Sequence, residues 1–425
     1  MSADHWFDGA RFGMFVHWSH CSQMGCELSW PLVGGPGIPG VSIPSVPIDE
    51  YHAGADTFCP TPGAARQWMA LAAKAGMRYA VLTTKHHDGF ALWPTKQTDW
   101  SIARTPYAGD LVAEFVDAAR AEGLKVGFYF SLPDWHHPDY PALTESDRPY
   151  AFIGQRRAPT EAWARFVDVL FGQVRELLTN YGPIDLLWWD LGFERTADEW
   201  RTAELERLVH ELQPGILMND RLVMGGGDFE TLEQFIPPTP PERRWETCMT
   251  MNDSWGYVPS DAHYKSARAL VHTLCEVAGR GGNLLLNVSP AATGALPEEQ
   301  IARLDEVGTW MERHDSAIHD TLPGLAPWQW YGPSTRRGTR IYCHLLSRPY
   351  DSVTVRGLPV RHVSAVRALG AGVALHYSTR CSIMDLLLNP DPTGELTIDV
   401  PAEAVDPVAT VIEIDLDIDI EPRAG

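Results

Sequence analysis

The chain has 425 residues, of which 44% are hydrophobic and 21% charged, ordinary for a soluble globular protein and long enough for one large barrel plus a smaller partner. A formal net charge of −21 excludes the basic face that a nucleic acid or an anionic membrane needs, and no apolar run approaches a membrane span. Seven cysteines, an odd number without CxxC spacing, suggest neither a zinc site nor a disulfide framework, and the N-terminal residues show no signal peptide, so the expectation is a cytoplasmic protein.

Apolar runs alternate with helical spacing along the first two-thirds of the chain. Residues 12–18 read as a strand, 62–76 as a helix and 78–90 as a strand with its loop. A helix over 109–122 precedes a strand over 124–135, and a helix over 159–180 precedes a strand over 184–190. The pattern repeats with helix 197–212 and strand 216–221, then helix 263–280, strand 282–290 and helix 297–314. Near-continuous apolar strands alternating with helices imply a parallel sheet covered on both faces. Polar residues gather at the C-terminal ends of the strands: His17, His86, His87, Asp134, Asp190, Asn219 to Arg221, and Asn287. That is the rim on which a (β/α)8 TIM barrel builds its active site. A doubly wound sheet is the competing α/β fold, but no GxGxxG follows the first strand. From residue 322 the pattern changes to short alternating strands between Gly and Pro turns, predicting a C-terminal antiparallel β-sandwich over 322–425 after a barrel over 1–321. The tail "IEIDLDIDIEP" alternates apolar and acidic residues, which predicts one buried and one solvated strand face.

Residues 186–189, Leu-Leu-Trp-Trp, suit a buried strand, yet the run ends on Asp190. A carboxylate there is either a cap for the following helix or a rigidly held catalytic group. The pair His86–His87 looks like metal ligands, but no HExxH or other third-ligand spacing accompanies it, so neither metal nor cofactor is expected.

Several stretches then combine in order over residues 6–294: "WFDGARFGMFVHW", "TTKHHDGFALWPTKQTDWS", "YFSLPDWHHPDYP", "YGPIDLLWWD", "NDR", "WETCMTMNDSWGY" and "GRGGNLLLNVSPAATG". Together they resemble glycoside hydrolase family 29, the retaining α-L-fucosidases. The resemblance implies a catalytic barrel, a C-terminal sandwich, no metal, and double displacement of terminal fucose from a fucosylated oligosaccharide. Such a mechanism needs one ionised carboxylate and one protonated carboxyl. By resemblance the nucleophile is Asp190. The acid/base is Glu233 of "GDFETLEQFIP", favoured over Glu246 of "RRWETC", with both left open, while Glu230 is expected to face solvent. The glutamate that does not serve as acid/base is expected in an ion pair, with Arg243 or Arg244 as partner.

His17, His86, His87 and Arg221 match sugar-contacting positions, and Trp188 matches a pocket wall. Trp30 is expected to receive the fucose methyl, Glu246 to reach the sugar, and Glu27 to be a weaker hydroxyl contact. Phe130 stands where the family commonly has a second tyrosine, the entry reads "HWSHCSQ", and the loop over 33–44 is unusual. These departures concern the pocket mouth. The competing functions are a same-mechanism glycosidase on a related sugar such as an α-L-galactoside, and a catalytically inactive sugar-binding protein. Retention of Asp190, Glu233 and Glu246 argues against the latter.

Overall fold

The computed structural model describes residues 5–36, 43–144, 147–150 and 158–419, so part of the 33–44 loop and the last residues of the acidic tail lie outside the described residues. Eight strands form one parallel sheet: β1 (Phe12–Val16), β2 (Tyr79–Lys85), β3 (Lys125–Ser131), β4 (Leu186–Asp190), β5 (Leu217–Met218), β6 (Glu230–Glu233), β7 (Trp245–Met249) and β8 (Asn283–Val288). Their order, β5-β4-β3-β2-β1-β8-β7-β6, puts the first strand between the second and the eighth, as in a TIM barrel. The two ends of the sheet meet at one parallel bridge between Asn219 and Phe229. Asp228 strengthens that seam: its amide donates to Met218 O at 2.7 Å and its carboxylate accepts from the Met218 amide at 2.8 Å.

The helices are α1 (Trp6–Ala10), α2 (Ile48–Ala53), α3 (Ala64–Lys74), α4 (Leu111–Ala121), α5 (Thr160–Asn180), α6 (Ala197–Trp200), α7 (Thr202–Leu212), α8 (Ala267–Gly279) and α9 (Glu298–His314). The single helix expected over 197–212 is divided at Arg201, which adopts φ 55° while its guanidinium holds Asp168 and Glu204. Two strands beyond those read from the sequence are present, β6 and β7. No helix stands between β5 and β6 or between β6 and β7, and of these three strands only β6 is partly open.

Along β4, Leu186 and Trp188 join the barrel interior with Phe15, Tyr129, Cys248 and Leu285, whereas Leu187 and Trp189 pack outward beneath the helices. This alternation turns Asp190 inward at the top of the strand. Lower down, β1 carries Gly13 because a Cβ there would sit 2.4 Å from the Tyr79 ring. No described helix is long and apolar enough to cross a membrane.

The remaining strands are β9 (Leu322–Pro323), β10 (Ser334–Arg337), β11 (Arg340–Leu345), β12 (Ser352–Pro359), β13 (Val363–Ala368), β14 (Val373–Ala374), β15 (Tyr377–Arg380), β16 (Thr393–Asp399) and β17 (Thr410–Leu416), with α10 (Ile383–Leu388) between β15 and β16. They make antiparallel sheets of order β14-β13-β17-β11-β10-β9 and β12-β16-β15. The sheets share one core, in which Ile341, Ile412 and Ile414 meet Val355, Leu396 and Ile398. Of the acidic face expected to be solvated, Glu413 is instead buried beneath Arg367, Asp415 is half-buried with Arg340 at 3.0 Å, and Asp417 and Asp419 are exposed.

Candidate active site

Strand ends bring the polar residues together. Asp190 closes β4 beside Ser131 of β3, its register partner, and is 8% exposed. Three donors fix its carboxylate: the Tyr129 hydroxyl at 2.7 Å from Oδ2, and the Leu191 amide at 2.9 Å and Arg221 Nη1 at 3.1 Å from Oδ1. His87 Nε2 lies 4.0 Å from Oδ2.

Arg221 follows β5 and lies over the Trp188 indole, 4.8 Å from the ring centre. Its second amino group, Nη2, donates to Glu233 Oε2 at 2.6 Å. One guanidinium therefore bridges the two carboxylates that stand at the ends of β4 and β6. Burial works against the arginine's charge, but Glu233 and Asp190 outweigh it and hold its pKa above the ordinary value. Glu233 is the more open of the two acids, with 39% of its side chain exposed.

An arc of rings frames Asp190. Trp255 and His17 have centroids 5.0 Å apart, His17 and His86 6.1 Å, His86 and His87 3.9 Å, and His87 and Trp30 5.1 Å. Each imidazole is tethered through Nδ1, His17 to Asn287 at 2.6 Å, His86 to the Ser29 hydroxyl and His87 to the Ser131 hydroxyl at 2.7 Å. Asn287 Nδ2 donates to Trp255 O at 2.8 Å, which turns its carbonyl oxygen to His17. His17 thus carries its proton on Nδ1 and keeps an acceptor at Nε2. Burial pushes His17 down to about 4 and holds His86 and His87 well below the usual histidine value, so all three are neutral near pH 7. Trp30 continues the arc into Trp135, 5.7 Å away between centroids.

Several residues stand elsewhere than the sequence led one to expect. Glu246 does not stand at the rim: it pairs in register with Thr231, two residues deeper than Glu233, and is fully buried. The Tyr79 hydroxyl donates to one of its oxygens and Trp188 Nε1 to the other at 3.0 Å, so it braces Trp188 from below and its bonds go to neither of the expected arginines. Arg243 instead caps the carbonyls of Gly225 to Gly227, and Arg244 holds Asp8 at 2.7 Å. Burial raises the Glu246 carboxyl to about 7 against the pull of those donors. Glu27, likewise, spends both oxygens on the backbone amides of Trp255 and Gly256, at 2.6 and 2.8 Å, and positions that loop. Trp188 is 2% exposed, a floor beneath Arg221 more than a wall. Phe130 points away from the site, under the Lys85 ammonium at 4.2 Å, and the hydroxyl that contacts Asp190 belongs to Tyr129.

Sequence reasoning assigned no role to Tyr129, Trp255, Ser29 or Ser131. Tyr129, Trp255 and Ser131 fall in stretches that the motifs already marked; Ser29 carries no local signal.

The α-L-fucosidase family model matches residues 1–316. The chain belongs to that family. Tissue α-L-fucosidase of Homo sapiens is 30% identical over 404 residues, covering 88% of this chain and 82% of its own. The α-L-fucosidase of Dictyostelium discoideum is 26% identical over 84% of this chain and 80% of its own. Among solved structures, α-L-fucosidase isoenzyme 1 from Paenibacillus thiaminolyticus superposes with a TM-score of 0.83 at 36% identity, covering 97% of this chain and 98% of that one. A family 29 α-L-fucosidase from Bacteroides thetaiotaomicron, trapped as a covalent intermediate with 2-fluoro-fucosyl fluoride in a glutamate-to-glutamine variant, gives a TM-score of 0.79 at 26% identity over 96% of this chain and 94% of that one.

Proposed function

We propose that Asp190 is the nucleophile and Glu233 the acid/base of this retaining α-L-fucosidase. The protein hydrolyses terminal α-linked fucose by double displacement. The observation that carries the residue assignment is the bridge through Arg221 from Asp190 to Glu233. Two acids bonded to one guanidinium stand side by side at the same rim, compatible with the ~5–5.5 Å between the carboxyl groups of a retaining pair.

On this reading an Asp190 oxygen attacks the anomeric carbon while Glu233 gives its proton to the departing glycosidic oxygen. Asp190 then becomes an uncharged ester and Glu233 an anion, so one negative charge moves from one end of the guanidinium to the other without losing its counter-ion. Water next loses a proton to Glu233 and displaces Asp190, which restores the anomeric configuration. The neutral imidazoles of His17, His86 and His87 hold sugar hydroxyls, and Trp30 with Trp135 offers an apolar surface to the methyl group.

Asp190→Gly should lose nearly all turnover, with azide partly restoring it and giving an inverted product. Glu233→Ala should slow natural fucosides by ~10²–10⁴-fold but spare fucosylation by substrates with an acidic phenol. Azide should then yield a fucosyl azide of retained configuration. If Glu246→Ala shows that pattern and Glu233→Ala does not, the acid/base assignment fails. We infer fucosylated oligosaccharides as substrates, tested by comparing release from α-1,2-, α-1,3-, α-1,4- and α-1,6-linked compounds; no release from any would refute it. We also infer a reducing, cytoplasmic setting from seven free thiols, four of them buried; a disulfide in protein alkylated at cell lysis would refute this.

A further inference from the structure

Helix α10 has the sequence Ile-Met-Asp-Leu-Leu-Leu, and none of its residues is buried. Ile383 is 74% exposed, Met384 61%, Leu386 50%, Leu387 71% and Leu388 75%. A six-residue helix has too few internal hydrogen bonds to persist alone in water, and helices in proteins owe most of their stability to a buried apolar face. Among the described residues this one has no such face. It is nonetheless pinned: Arg361 donates to Leu386 O at 3.1 Å and to Pro390 O at 2.9 Å, and Asn389 Nδ2 to Asp385 Oδ1 at 3.2 Å. The aliphatic side chains are thus presented outward by an anchored element.

The strand before the helix adds a second feature. β15 is the outer strand of its three-stranded sheet, bonded to β16 on one side only, and Ser378, Thr379 and Arg380 are exposed. An open strand edge beside an apolar patch is a template for pairing with another chain.

We propose that α10 and the outer edge of β15 form the docking surface for a second copy of this chain across a two-fold axis. An aliphatic patch is complementary to itself, and a strand edge pairs antiparallel with its own symmetry mate, so one surface on each copy suffices. From Cys381 to Asn389 the only charge is Asp385, in a chain of net charge −21, so two copies meet here with little of the repulsion that the rest of the surface imposes. The five side chains offer on the order of 300 Å² of apolar surface. A stable interface buries about 800 Å² on each partner with an apolar centre and a polar rim, so the helix fits the centre and the strand edge part of the rim. A lipid surface, the other apolar partner such a helix could meet, leaves the amides and carbonyls of β15 unpaired and meets a strongly acidic protein.

Light scattering during size exclusion tests this on the full chain. The wild type should run at twice the mass of one chain, or an even multiple of it, and Leu387→Glu with Leu388→Glu should halve that mass. Activity on an aryl fucoside and the unfolding temperature should stay unchanged. If the glutamate pair lowers the unfolding temperature, Leu387→Ser with Leu388→Ser provides the same reading. A wild type at the mass of one chain overturns the proposal, as does a multiple that neither variant pair reduces. Wild-type protein of single-chain mass that sediments with phosphatidylcholine vesicles overturns it in favour of a lipid surface.

Discussion

At the scale of single residues the site is held by side chains that never touch the sugar in the proposed reaction. Tyr129 gives its hydroxyl to Asp190 while its ring stacks on Trp188, 5.4 Å between centroids. Tyr129→Phe keeps the ring and removes one donor to a charged acceptor, an interaction worth ~1.5–3 kcal/mol. The expected result is a fall in kcat of ~10–100-fold with little change in KM and an unaltered unfolding temperature; a change in KM alone would contradict the role.

Glu246 makes a prediction about pH. Its carboxyl is raised from 4.5 to about 7 in the folded protein, so between those values the folded state binds the proton that the unfolded state has released. Stability attributable to this group is therefore present at low pH and lost as pH climbs through that window. Glu246→Gln removes the titration. Measured by urea unfolding, the wild type should lose ground to the variant by on the order of 3 kcal/mol between pH 4.5 and 7.5, and parallel curves would contradict the assignment.

At the scale of elements, the end of β4 and the segment after β5 are fitted to one another through a glycine. The Gly192 amide donates to Arg221 O at 3.0 Å, and a Cβ on Gly192 would lie 2.3 Å from that oxygen and 2.4 Å from Leu222 O. Gly192→Ala must push the backbone carrying Arg221 away from Asp190. Loss of kcat/KM with retained folding is expected, measurable with an aryl fucoside beside a circular-dichroism melt.

The same region shows how far the sequence could be read. Strands β1 to β4 and β8 are apolar and bounded by helices with clear spacing, and their ends delivered His17, His86, His87 and Asp190 to one rim as expected. β6 reads Glu-Thr-Leu-Glu and is only half-buried, so its hydrophobic pattern resembles a loop. β7 hides a glutamate at its second position because Tyr79 and Trp188 satisfy it across the barrel, from strands remote in sequence. Local pattern sees neither partner. That is why Glu233 and Glu246 stood as rivals in the sequence, although the register places one two residues below the other.

At the scale of the whole molecule, buried titratable groups set the pH range of the fold. His17 and His52 are pushed down to about 4, His344 to about 3, and His86 and His87 well below the ordinary value, in each case chiefly by burial. These groups are neutral when folded and take up protons when unfolded below about pH 6.5, so their stability is present above that pH and lost as pH falls toward 4. Glu27 and Glu246, both raised to about 7, act in the opposite sense between 4.5 and 7, but they are fewer. The unfolding temperature should accordingly peak at about pH 6–7 and fall steeply on the acid side. A flat profile from pH 4 to 7 would be inconsistent with neutral buried histidines.

The missing helices on either side of β6 should give the barrel two rates of breathing. Every residue of β4 is buried, whereas no residue of β6 is fully buried and no helix directly precedes or follows it in the chain. Amide deuteration should reach β4 only when the whole domain opens, and reach β6 and the segment before it through small local excursions. On the proposed roles, the nucleophile thus stands on the strand expected to exchange slowly and the acid/base on the one expected to exchange readily. A ligand that engages both should slow exchange at β6 far more than at β4.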